Sequence, residues 1–208
     1  MLNRSGKRKI INPDHVKIKP NFVNDSFEYL PYERRKKRFV YAGRLDPLKG
    51  INILLDAWKL LGNDAPELVI CGSGPMEEWC KEYIEKNHLS TVEMKGQMSN
   101  SDVRMIMGDS QGIILPTQWY EGFPMTIVEA FSMHVPVIGS EIGNVGEIIR
   151  DGRNGYVFRH DSAQDLADVI MKMMRNPIEI EQESIEAYSA ERNYLILNEI
   201  YEDAVKEC

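Results

Sequence analysis

Four charged residues are placed where they could do chemistry: Arg44, Lys49, Glu121 and Glu129. Arg44 follows the apolar run Phe39-Val40-Tyr41-Ala42 and Gly43, which lets the chain turn, and Lys49 comes just before an apolar-periodic stretch. A guanidinium fork and an ammonium point charge aimed at one place suit a diphosphate. Each cation at contact range contributes on the order of 4 kcal/mol of gross Coulomb energy at an effective dielectric of 20, before desolvation. The same segment also reads as surface charges paired with Asp46. Glu121 and Glu129 bracket Glu121-Gly122-Phe123-Pro124-Met125-Thr126-Ile127-Val128-Glu129. Pro124 suits the first turn of a helix, which leaves the Gly122 and Phe123 amides facing a phosphate or sugar oxygen. One carboxylate supplies the two acceptors that a vicinal diol needs. Were the whole stretch helical, the two carboxylates would be separated by a rise of roughly 12 Å. The plainer alternative makes Glu129 a mid-helix surface residue and Glu121 a helix-start residue favoured by the dipole.

Two further segments are rich in glycine. Gly72-Ser73-Gly74-Pro75 either brings amides to a ligand or is a plain strand-to-helix turn; the full Gly-x-Gly-x-x-Gly fingerprint is absent, since Glu77 stands at its last place. Gly143-Asn144-Val145-Gly146-Glu147 either lines the same pocket from the far side or is simple turn chemistry. The four histidines are scattered and no Asp-x-Asp follows a strand, so no metal clamp is expected. No Gly-x-Ser-x-Gly nucleophile elbow occurs.

The elements that must position these residues alternate. Strands are expected at 38–42, 67–71, 91–94, 112–115, 135–139 and 156–158. Helices are expected from Asp46 to about Leu61, from after Pro75 to about His88, over 99–107, within 121–133, near 145–150 and over 163–174, with Leu166, Ile170 and Met173-Met174 facing inward. Short, near-continuously apolar strands separated by helices predict an α/β, Rossmann-like, doubly wound and mostly parallel sheet. Such sheets bind ligands beyond the carboxyl ends of their strands, where all four segments fall. The expected organisation is a linker segment over 1–37, a Rossmann-like domain over 38–177 and an acidic, amphipathic helical segment over 178–208.

The chain has 208 residues, 43% hydrophobic and 27% charged, enough for one sizeable core. No apolar run approaches a membrane span, and Arg4, Lys7, Arg8 and Lys9 are followed by too short an apolar stretch for a signal peptide. The net charge of −7 is uneven: residues 1–38 carry eleven Lys/Arg and four Asp/Glu, leaving −14 on the remainder. The basic run 34–38 reads as a solvated approach to a strand, or as a face toward an anionic membrane or another domain. An acidic body without interleaved aromatic and basic residues argues against nucleic acid. Cys71, Cys80 and Cys208 are odd in number and read as packing residues in a reducing cytoplasm.

The ordered set Gly-Arg-Leu-(x)3-Lys-Gly at 43–50, Cys-Gly-Ser-Gly-Pro at 71–75, Glu-Gly-Phe-Pro-(x)4-Glu-Ala at 121–130, Pro-Val-Ile at 136–138 and Asp-Gly-Arg-Asn-Gly at 151–155 resembles the C-terminal domain of glycosyltransferase family 4. The likeness runs from about Lys17 to Tyr201. It implies a GT-B fold, in which this domain binds a nucleotide-diphosphate sugar (a UDP- or GDP-sugar) and a preceding domain binds the acceptor. It further implies that Arg44 and Lys49 hold the diphosphate, and that Glu121 contacts sugar hydroxyls. Gly43 and the backbone around Gly122, Phe123, Pro124, Met125 and Thr126 would help bind the donor, Glu129 would take the ribose diol, and Gln97 and Met98 would flank the base. Transfer of a hexose-type sugar to a glycan or lipid-linked acceptor would proceed with retention, without cofactor or metal. The expected place is the cytoplasm, with peripheral contact to the inner face of the membrane as a further expectation.

The sequence departs from the family at His134, where glycine is usual, and at Asn144-Val145, where Gly-Gly is commoner. Lys19-Pro20-Asn21-Phe22-Val23 looks like the segment that leads into the C-terminal domain, so an acceptor domain is expected to be missing. The alternatives are a non-catalytic nucleotide-sugar-binding module, or a GT-B epimerase or phosphorylase, the last of which lacks its cofactor lysine motif here. A flavodoxin-like signalling domain would need an acidic cluster where Arg44 stands.

Overall fold

A computed structural model of the chain describes residues 16–23 and 30–206. The expectations for Arg4, Lys7, Arg8, Lys9, His15 and Cys208 concern residues outside that set. Among the described residues the strands are β1 (Lys36–Ala42), β2 (Glu67–Cys71), β3 (Val92–Gly96), β4 (Ser110–Leu115), β5 (Val137–Ser140) and β6 (Gly155–Phe158). The helices are α1 (Ile51–Leu61), α2 (Glu77–Lys86), α3 (Asn100–Gly108), α4 (Met125–Ser132), α5 (Gly143–Ile148), α6 (Ala163–Arg175), α7 (Gln182–Glu186) and α8 (Ala190–Lys206).

All strand pairings are parallel, in the order β3-β2-β1-β4-β5-β6. The sheet is doubly wound, as the alternation predicts. Its order turns between β1 and β4, and the crevice beyond their carboxyl ends is the topological switch point. Alternation along β1 sends Phe39 and Tyr41 to one face and Val40 to the other. The first face packs on α1 and α6, through Leu54, Leu55, Trp58, Leu166, Ile170 and Met173. The second packs on α3, α4 and α5, through Met107, Ile127, Phe131 and Val145. Cys71 and Cys80 are buried packing residues, and burial pushes the Cys80 thiol up to about 11.

Three expectations need correction. Asp46 does not open a long helix: its side chain accepts from the Leu48 amide at 2.9 Å and caps a single 3-10 turn, Pro47–Lys49. Gly50 at φ 71° ends that turn, and α1 starts afresh at Ile51. The basic run is not wholly solvated. Arg35 and Arg38 are 6% and 7% exposed. Arg38 donates to Ser110 Oγ at 2.9 Å and to the Ile106 carbonyl at 3.2 Å, and pairs with Asp109, which ties β1 to the end of α3. The C-terminal region is two helices, broken at 187–189. Residues 16–23 run against α8: the Asn193 amide donates to the Pro20 carbonyl at 2.6 Å and accepts from Lys19 at 2.8 Å.

Candidate functional site at the strand ends

The loops after β1 and β2 interlock. The Gly43 amide donates to the Cys71 carbonyl and the Leu45 amide to the Ser73 carbonyl, both at 3.0 Å. Gly72 has φ 140°, and a Cβ there would sit 1.9 Å from the Gly43 carbonyl oxygen, so only glycine allows this approach. Gly43 itself needs no such freedom: an added Cβ would meet only the Tyr41 hydroxyl, at 3.4 Å. The sharp turn expected at Gly43 is therefore made possible mainly by its neighbour across the sheet. Tyr41 Oη donates to the Arg44 carbonyl at 2.7 Å and fixes the loop from below. Burial holds that phenol far above its usual range, and the carboxylates of Asp46 and Glu121 push the same way.

Above these loops lies a cavity of about 470 Å³. Its walls include Gly43 and Arg44 after β1, Gly72 and Ser73 after β2, Gln97 and Met98 after β3, and Thr126 and Glu129 on α4. These eight residues, all singled out in the sequence, thus meet in one space, of the size of a small-molecule site. Ser73 Oγ donates to Gln97 Oε1 at 3.1 Å, which links two of the walls. The Arg44 side chain is 69% exposed, with its Nε 3.6 Å from Asp46, so the surface pair weighed for this segment is present for Arg44.

Lys49 is engaged elsewhere. Gly50 at φ 71° lets the 3-10 turn dock on the end of β4, and a Cβ there would fall 1.8 Å from the Pro116 carbonyl oxygen. The Gln118 amide donates to the Leu48 carbonyl at 2.8 Å. This docking brings the Lys49 ammonium onto the Glu121 carboxylate in a half-buried ion pair. Lys49, Glu121, Gly122, Phe123, Pro124 and Met125 stand outside the cavity walls.

Pro124 is the N-cap of α4 rather than its first helical residue, and 121–124 are not helical. The two carboxylates are therefore not on one continuous helix. The Phe123 ring turns to Tyr188, with centroids 5.8 Å apart, so this side chain anchors the loop to the α7–α8 junction. Asn144 donates its side-chain amide to the Gly122 carbonyl. The segment at 143–147 thus acts on the site by holding the Gly122 loop, not by lining the cavity. Two features escaped the sequence reading: this Asn144 tether, and Arg104 on α3, whose Nη2 donates to Glu129 Oε1 at 2.9 Å. Arg104 lies four residues from Asn100, which lines the cavity, and that helical spacing was the available signal. Among the described residues no group of three or more His, Cys, Asp or Glu is gathered as a metal site, and no helix is long and apolar enough to cross a membrane.

Comparison with known proteins bears on this arrangement. The phosphatidyl-myo-inositol mannosyltransferase of Mycobacterium leprae is 28% identical over 201 residues, 93% of this chain and 53% of that protein. Among solved structures, a lipopolysaccharide outer core galactosyltransferase in its apo form superposes with a TM-score of 0.74 at 21% identity, covering 89% of this chain and 54% of that one. Anabaena HepE in complex with UDP-glucose superposes with a TM-score of 0.68 at 20% identity, covering 82% and 49%. The sheet and its helices are thus the fold of these glycosyltransferase structures. The chain spans about half or less of the length of the relatives it matches. Residues 24–192 match the model of the glycosyl transferases group 1 family, and the chain belongs to that family.

Proposed function

We propose that these residues form the donor-binding, C-terminal domain of a retaining, metal-independent glycosyltransferase of family 4. The observation that carries the proposal is the cavity at the switch point, with Arg44, Gln97, Met98, Thr126 and Glu129 on its walls. In this reading Glu129 accepts from the ribose hydroxyls, and Gln97 and Met98 flank the base. The diphosphate meets Arg44 and backbone amides at the start of α4, whose dipole favours an anion. Lys49 leaves Glu121 for the phosphates. Glu121, released, accepts from hydroxyls of the transferred hexose. As the bond between sugar and diphosphate breaks, charge grows on the leaving oxygen, and the two cations stabilise it where another enzyme would use a divalent ion.

The family and the fold support this reading, and the UDP-glucose held by one protein of the same fold makes that the first donor to test. Polysaccharide or lipid-linked acceptors fit the mannosyltransferase and galactosyltransferase names among the relatives. The acceptor would be bound by a preceding domain, on the cytoplasmic side of the membrane. Transfer by these 208 residues alone, with no acceptor domain supplied, would count against that division.

Calorimetric titration with UDP, GDP, ADP and the matching nucleotide-sugars tests the residue roles. Glu129→Ala should weaken the free diphosphate and the sugar-bearing donor alike, by about tenfold or more, the scale of a lost hydrogen bond to a charged group. Glu121→Ala should weaken mainly the sugar-bearing donor. Equal losses from both variants on the free diphosphate would contradict the assignment.

A further inference from the structure

The position of Arg104 gives the Glu129 carboxylate a partner within the protein. Arg104 is on α3, the helix that carries the chain from β3 at the edge of the sheet to β4 at the switch point. Glu129 is on α4, the helix that follows β4. Asn100, Val103 and Met107 of α3 line the cavity together with Glu129, while Arg104 is not among the wall residues. Its Nη2 reaches Glu129 Oε1 at 2.9 Å, with the two side chains 27% and 23% exposed. A guanidinium in this position restrains the carboxylate's rotation and favours its ionised form, while Oε2 and the second lone pair of Oε1 remain able to accept. Partial burial of both groups makes the pair less screened than a surface ion pair.

We infer that Arg104 is a positioning residue that sets the site's preference for a vicinal diol, by holding the Glu129 carboxylate toward the cavity. The inference rests on the reading of Glu129 as the acceptor for the ribose hydroxyls. A diol must meet two lone pairs at fixed spacing, so a carboxylate free to rotate would still attract a hydrogen-bond donor but would discriminate poorly between a ribose and a ribose lacking its hydroxyls. A residue that merely joined α3 to α4 would affect every ligand of the cavity equally.

The test compares UDP, GDP and ADP with their 2′,3′-dideoxy counterparts, by calorimetry on the wild-type chain and on Arg104→Gln, Arg104→Lys and Glu129→Gln, each checked for folding by circular dichroism. The wild-type chain should prefer the ribose form of its best diphosphate by about tenfold or more. Arg104→Gln should remove most of that preference by weakening the ribose form alone, and Arg104→Lys should restore part of it. Glu129→Gln should abolish it. Two results overturn the inference while leaving the role of Glu129 intact: Arg104→Gln keeps the wild-type preference, or it weakens ribose and dideoxy forms equally. A wild-type chain with no preference, or one that binds none of the three diphosphates, overturns the reading of Glu129 and the inference with it. Should Arg104→Gln fail to fold, Arg104→Lys decides: an unchanged preference with that shorter, non-planar cation would count against the guanidinium's orienting role.

Discussion

His134 shows what one residue's backbone decides. It sits at φ 58° just past Met133, the C-cap of α4, where its amide donates to the Phe131 carbonyl at 2.9 Å and the Val135 amide to the Ala130 carbonyl at 2.9 Å. Those two bonds are a Schellman ending, whose left-handed position strongly favours glycine. Glycine is thus the residue this backbone favours, and histidine there carries strain of about 1–2 kcal/mol. Glycine loses more entropy on folding, so His134→Gly should stabilise the chain by a net of about 1 kcal/mol, a rise of roughly 2–4 °C in Tm. The imidazole adds a pH dependence of known sign. Burial first, and the Arg35 charge second, lower its folded pKa below the ordinary histidine value of about 6.5. The unfolded chain therefore takes up that proton more readily. The stability that depends on a neutral His134 is complete above pH 6.5 and is lost as pH falls through the lower folded value. His134→Gly should flatten that part of the acid branch. Thermal melts of both proteins from pH 7.5 to 5 check this, and a lower Tm for the glycine variant at pH 7.5 would remove the strain argument.

At the scale of elements, the turn Pro47–Lys49 separates what sequence reveals from what it hides. The apolar spacing Ile51, Leu54, Leu55, Trp58 marks α1, because one face of it is fully buried and that period is written in the residues. The break at Gly50 is not written there, because it answers to the Pro116 carbonyl across the sheet, 66 residues away in sequence. The same holds for the basic run: the burial of Arg38 is decided by Asp109 and Ser110 on a neighbouring strand end. Arg104 was missed for this reason too, and so was the tether made by Asn144, since each acts through a partner on another element. Residues directly following strands were legible because the sheet itself gathers them. The Gly50 contact carries a prediction. Gly50→Ala places a methyl at a left-handed residue and into a backbone oxygen, and should cost about 2 kcal/mol or more. It should also move Lys49 away from Glu121 and weaken diphosphate binding. Denaturant melts and calorimetry on the one variant read both effects, and a stable variant with unchanged affinity would mean that the docking of this turn does not position Lys49.

For the whole molecule, the switch-point cavity links ligand binding to folding. Its walls come from loops after β1, β2 and β3 and from α3 and α4, so no single part of the chain holds the site once the sheet is lost. A ligand that binds only the folded chain stabilises it by about 2.7 kcal/mol at a hundredfold excess over its Kd, a Tm rise of roughly 5–10 °C for a domain of this size. The diphosphate whose base the cavity prefers should produce this shift, growing with the logarithm of its concentration. The other two diphosphates should reach it only at higher concentrations. Because Arg44 and Lys49 are the cations proposed to meet the phosphates, the shift should persist in EDTA. It should shrink as salt rises, since the Arg44 side chain is largely exposed and its charge is screened. A shift that vanished with EDTA would place a divalent ion in the complex and remove these two side chains from the role proposed for them.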